Sequence, residues 1–166
     1  MSPAGFSWRQ MNKIEESLKD RIGQDLAADE TAPNEGRDAS QEEIHHLIVT
    51  AGWTQFLPEV FSDELSRQSA LTKAWQNAEN KALYAYDDPT CDDSCRIIEF
   101  FYLVTAAYLG SMVDVVHNEL RVKTQSDLRE RLPDVVAIME SATYSYPKNI
   151  WPDGEYNRSK NIIFSD

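Results

Sequence analysis

The sequence predicts an all-α protein: a single bundle of about four to five helices, with an N-terminal helical arm and a turn-rich C-terminal wrap. Three observations predict it. Apolar residues recur at steps of three and four in several separate windows, the spacing that draws one stripe along a helix. Residues 97–116 are apolar on most sides, as a helix at the centre of a bundle must be. Short cap-type segments stand at the heads of these windows.

Trp8, Met11, Ile14, Leu18 and Ile22 share one stripe over residues 8–22, so residues 1–24 read as an amphipathic helical arm. Residues 25–40 follow as an acidic linker. Asp25, Asp29, Glu30, Glu35 and Asp38 face only Arg37, and Pro33, Asn34 and Gly36 interrupt the stretch. It has too little apolar surface to offset its ordering entropy. The helical domain spans residues 41–166.

Ser40-Gln41-Glu42-Glu43 has the form of a capping box, opening a helix that runs to about Phe56. Pro58 and Ser62 end one element and open the next. From Leu65 onward, Leu71, Ala74, Trp75, Ala78, Ala82, Leu83 and Tyr86 fall at helical spacing until Asp87-Asp88-Pro89 stops the run. Thr90-Cys91-Asp92-Asp93 heads the central helix, and Thr124-Gln125-Ser126-Asp127 caps a short one. Pro133 sits where a first-turn proline is tolerated, ahead of Val135, Val136, Ile138 and Met139. Residues 144–156 hold Tyr144, Tyr146, Trp151, Tyr156 and the turn signal Pro152-Asp153-Gly154. Their aromatic rings are expected to pack over the bundle. No internal repeat is present.

Charge and composition exclude several functions. With 28 acidic against 16 basic residues, a net charge of −12, the chain is unsuited to general nucleic-acid binding, which needs cations for phosphates. An anionic membrane surface also repels it. Glu99 and Asp114 interrupt the one apolar run long enough to span a bilayer, which reads instead as a core helix. The first residues turn polar at once, so the expected location is cytoplasmic, or secreted if a signal has been removed. Two cysteines cannot build a disulfide-dense scaffold or a four-cysteine zinc site.

Candidate chemistry is sparse. Glu43 with His46, and Asp114 with His117, each place a carboxylate three residues before an imidazole. Di-metal helical bundles use this spacing, and Glu79 and Glu99 are the two single carboxylates such a site requires. The second pair departs from that pattern by using Asp, and capped or surface histidines are the competing account. Asp87, Asp88, Asp92, Asp93 and Glu99 form an acidic segment of the kind that suits calcium. The plainer reading is that Asp92 and Asp93 favour the positive end of a helix dipole. Cys91 and Cys95 are four apart, too far to bridge within a regular helix unless Cys91 lies just outside it; otherwise they are buried thiols. Nucleophile-elbow, zinc-protease, phosphate-loop and dinucleotide motifs are all missing, so no catalytic residue is assigned and the expected cofactor is none, or alternatively a divalent metal. Phe100, Phe101, Tyr102 and Tyr108 read as core.

The run Asp88-Pro89-Thr90-Cys91-Asp92-Asp93-Ser94-Cys95, the following Glu99-Phe100-Phe101-Tyr102 helix and the ending Pro152-Asp153-Gly154-Glu155-Tyr156 resemble a family of functionally uncharacterised proteins. The resemblance spans residues 88–156 and supplies no activity. Members are often secreted, which implies a Cys91–Cys95 disulfide.

The favoured expectation is a non-enzymatic protein-binding or assembly module. Trp8, Met11, Ile14 and Leu18 would anchor the arm on a protein partner or a second copy. The competing reading is that the arm folds back onto its own bundle. The alternative is a helical-bundle metal protein built on Glu43, His46, Glu79, Glu99, Asp114 and His117, or on an acidic calcium site.

Overall fold

The computed structural model describes residue 23 and residues 39–111, 114, 115 and 117–148. The arm, nearly all of the linker, and Trp151, Pro152-Asp153-Gly154 and Tyr156 lie outside the described residues. The described residues are all-α. Their one β feature is an isolated antiparallel bridge between Tyr84 and Leu120.

Helix α1 (Ser40–Leu47) runs on through a π-helical segment, Ile48–Trp53, into α2 (Thr54–Phe56). The end near Phe56 agrees with the sequence expectation, but the start does not. Ala39 is the N-cap and no side chain caps the helix, so Ser40 is already helical. Pro58 disfavours helical geometry at the residue before it, and Leu57 leaves that geometry at φ −135°. Pro58 then opens the single turn α3 (Pro58–Phe61).

The predicted helix from Leu65 to Tyr86 is divided in the structure. A 3₁₀ turn, Leu65–Arg67, ends at Gln68 in left-handed geometry. Ser69 then caps α4 (Ala70–Asn80), its Oγ accepting from the Thr72 N–H at 3.0 Å. Beyond Asn80 the chain turns through Ala82 at φ +52°. Leu83 and Ala85 instead pair by backbone hydrogen bonds with Arg121 and Glu119. Ala82 lies exposed in the turn, while Leu83 is buried and Tyr86 half-buried on the segment that follows, so their spacing is not that of a helix face and Asp87-Asp88-Pro89 is not the helix stop.

The central helix α5 (Asp93–Leu109) is buried at every residue from Ile97 to Tyr108, which bears out an apolar run closed on all sides. Its cap is Asp92, not Thr90, with Oδ1 accepting from Cys95 N–H at 3.0 Å. It stops well short of Val116. Gly110 takes φ +81°, a left-handed end that glycine reaches without Cβ strain, and Ser111 N–H closes on Ala106 O at 2.8 Å. Thr124 caps α6 (Gln125–Arg131) and Pro133 opens α7 (Pro133–Met139), both as the sequence predicts.

Helix α5 packs against α1, α4 and α6, and α4 against α3 and α7. Tyr146 lies buried against Phe101, and Tyr144 lies over Phe61 and Trp53, so the described start of the C-terminal wrap covers the bundle. No described helix is long and apolar enough to cross a membrane.

Candidate metal centre

Helix α1 is built inside out. Glu42, His46 and Val49 are buried, whereas Ile44, Leu47 and Ile48 are exposed. A helix ordinarily turns its apolar stripe to the core; here part of its polar face points at α5, where it meets Glu99. Glu99 is also buried, because Ile98 and Phe100 beside it fix the rotation of a helix enclosed along its length.

Glu42, His46 and Glu99 each bring a ligand-type atom within 4.8 Å of the others. His46 Nε2 stands 3.6 Å from Glu99 Oε1, and its Nδ1 stands 3.8 Å from Glu43 Oε2. These separations exceed a normal hydrogen bond. Two ligand atoms each about 2.1 Å from one ion, at a tetrahedral angle, stand about 3.4 Å apart, so the His46–Glu99 spacing suits a shared ion.

The group opens onto a cleft of about 520 Å³ whose wall carries, among the described residues, Glu43, Asp63, Asp88, Asp92 and Glu99. The Cys91–Cys95 disulfide also lines it. Their Cα atoms are 5.3 Å apart, within bridging range, and Cys91 stands outside α5, which frees its backbone to meet Cys95. Part of the acidity is already committed. Asp92 caps α5, Asp63 accepts from Ser94 Oγ at 2.6 Å, and Asp88 accepts from the Thr90 N–H and hydroxyl. The Thr90 hydroxyl and N–H hold the Asp88 carboxyl below its ordinary value. Exposed Asp93 pairs with Arg96 at 3.8 Å, and neither it nor Asp87 lines the cleft. These contacts match the helix-dipole account of the acidic segment better than a calcium loop.

The two-pair arrangement expected from sequence is not assembled. Glu43, His46 and Glu99 come together, but Asp114 and His117 fall beyond the end of α5 and share no helical face. Asp114 is buried as an acceptor, from Tyr102 Oη and Ser111 Oγ at 2.6 Å each, and His117 is exposed on a bend. Glu79 sits on α4 outside the group, with its carboxyl raised chiefly by burial; Arg96 opposes the rise and Asp93 adds to it. The residue missed from sequence is Glu42. Its signal was the four-residue step to His46, which shares a helical face as readily as a three-residue step.

Beside the group lies a neutral histidine. His45 Nε2 meets Tyr146 Oη at 2.9 Å, Tyr146 Oη meets Thr105 Oγ1 at 2.9 Å, and the Thr105 hydroxyl donates to Phe101 O at 2.8 Å. With the Thr105 proton so used, Tyr146 donates to Thr105 and accepts from His45 Nε2–H. This assigns the tautomer from the network and leaves Nδ1 a bare lone pair, buried with no hydrogen-bond partner among the described residues. Burial, assisted by nearby His46, lowers His45 to about 3. Burial likewise pushes Tyr146 above its ordinary value.

No known protein family, curated protein or solved structure matches this chain.

Proposed function

We propose that the chain binds one divalent transition-metal ion through Glu42, His46 and Glu99. The observation that carries this reading is the burial of two carboxylates around one imidazole, at spacings suited to an ion rather than to direct hydrogen bonds. One nitrogen and two carboxylates suit zinc, manganese or iron better than calcium, which prefers oxygen ligands alone. The cleft admits further ligands from Glu43 or solvent. The Cys91–Cys95 bridge supports the secreted alternative, because such bonds persist in oxidising compartments.

Elemental analysis and calorimetric titration with Zn²⁺ and Mn²⁺ test the site. One ion per chain is expected, with affinity falling by roughly tenfold or more in Glu99→Gln and His46→Asn, and unchanged in Glu79→Gln and His117→Ala. No bound ion, or undiminished binding in Glu99→Gln, leaves His46 as an ion-paired core histidine and ends the proposal.

A second reading, a non-enzymatic docking or assembly module, has a separate observation in its favour. Ile44, Leu47, Ile48 and Phe56 stand exposed along the α1–α2 rod. Apolar side chains grouped on one element mark a contact face more often than scattered ones do.

A further inference from the structure

We infer that the Cys91–Cys95 bridge gates the metal site: once the bridge is reduced, Cys95 joins Glu42, His46 and Glu99 as a thiolate ligand and turns the site's preference toward zinc. This gate rests on the metal reading proposed for those three residues.

Both cysteines line the cleft onto which the metal group opens, as do His46 of α1 and Glu99 of α5. Cys95 and Glu99 stand four residues apart within α5, which puts their Cβ atoms about 5–6 Å apart on one helix face. A long helical side chain leans over the turn before its own Cα, and that direction carries the Glu99 carboxylate toward Cys95. In the bridge the Cys95 sulfur is bonded to Cys91 and cannot act as a thiolate. Freed, it supplies a fourth ligand beside one imidazole and two carboxylates, the number zinc takes in a tetrahedral site.

Reduction proceeds by thiol–disulfide exchange. Cys95 is the exposed partner, whereas Cys91 is 5% exposed, and exposed bridges are the readily exchanged ones. The thiolate of a monothiol such as glutathione attacks the Cys95 sulfur, the S–S bond breaks, and Cys91 leaves as a thiolate that takes up a proton. A second monothiol, as its thiolate, attacks the reductant's sulfur in the mixed disulfide, releasing Cys95 and the reductant's own disulfide. Glu43, Asp63 and Asp88 also line the cleft, so a bare thiolate there is disfavoured by like charge. The divalent ion replaces the Cys95 proton, which passes to solvent. Thiolate is a softer ligand than carboxylate, so the reduced set favours zinc over manganese more than the oxidised set does.

The test compares Zn²⁺, Mn²⁺ and Co²⁺ binding by the full chain, oxidised or reduced with a phosphine that is then removed without air. Reduction should raise the ratio of Zn²⁺ to Mn²⁺ affinity by roughly tenfold or more and bring in a sulfur-to-cobalt charge-transfer band. Cys91→Ser, in which the bridge cannot form, should show both effects, and Cys95→Ser neither, with air excluded from each. An unchanged ratio and no band on reduction, in a chain that binds metal when oxidised, overturn the gate and leave the site of Glu42, His46 and Glu99 standing. A band retained in Cys95→Ser also overturns it. Metal bound by neither form overturns the site itself, and the gate with it.

Discussion

His45 and His46 are neighbours in sequence with opposite fates. His46 turns to the carboxylates of Glu42 and Glu99, whereas His45 donates to Tyr146 and keeps a buried nitrogen with no hydrogen-bond partner among the described residues. Burial disfavours a protonated His45, and nearby His46 adds to the effect, which is why it is lowered to about 3 from 6.5. The sign of the linkage follows. Below pH 6.5 the unfolded chain takes up a proton that the folded chain refuses, so this stabilisation is complete above pH 6.5 and is lost as pH falls toward 3. Urea unfolding of the parent and of His45→Gln at pH 7.5, 6 and 5 should show the parent losing its advantage below pH 6.5, at up to about 1.4 kcal/mol per pH unit. A difference that stays constant with pH would contradict the buried neutral imidazole.

At the scale of the element, helix ends were legible where a cap oxygen stood next to its helix. Thr124 and Pro133 act where the sequence places them. Ser40 and Thr90 do not: Asp92, a cap as good as Thr90, sits at the start of α5, and Ala39, which has no side-chain acceptor, sits at the start of α1. Ser69 illustrates what spacing alone misses: it caps α4 and also donates to Ser62 O at 2.6 Å, joining the turn after α3 to the helix. Ser69→Ala should lower the unfolding free energy by about 1–2 kcal/mol, measured by thermal or urea denaturation, while the exposed cap Thr124→Ala should cost about 0.5–1 kcal/mol. Equal effects at the two caps would show that the Ser62 link adds nothing.

For the whole molecule, the Cys91–Cys95 bridge fastens the segment after the Tyr84–Leu120 contact to the head of the central helix, forming one wall of the acidic cleft. The loop it closes is short, so its effect on the unfolded chain is modest, about 2 kcal/mol. Cys91→Ser/Cys95→Ser should lower stability by about that amount in urea unfolding and leave helix content by circular dichroism unchanged. A loss of helix would mean that the bridge holds α5 itself rather than the loop before it.

Local pattern determined the class of this protein. An apolar run flanked by polar segments closes into a buried helix because burial and backbone hydrogen bonding leave it little else, and α5 is that helix. Pro133 carried its geometry in its own covalent structure. The tertiary structure alone decided which carboxylate meets which histidine. Spacing on one helix names candidates, but the rotation of α1 against α5 chose Glu42 and Glu99 for His46, and the left-handed turn at Gly110 removed Asp114 and His117. It also decided that α1 faces its polar side inward. That orientation is fixed by contacts between elements distant in sequence, to which a periodicity within one helix is blind.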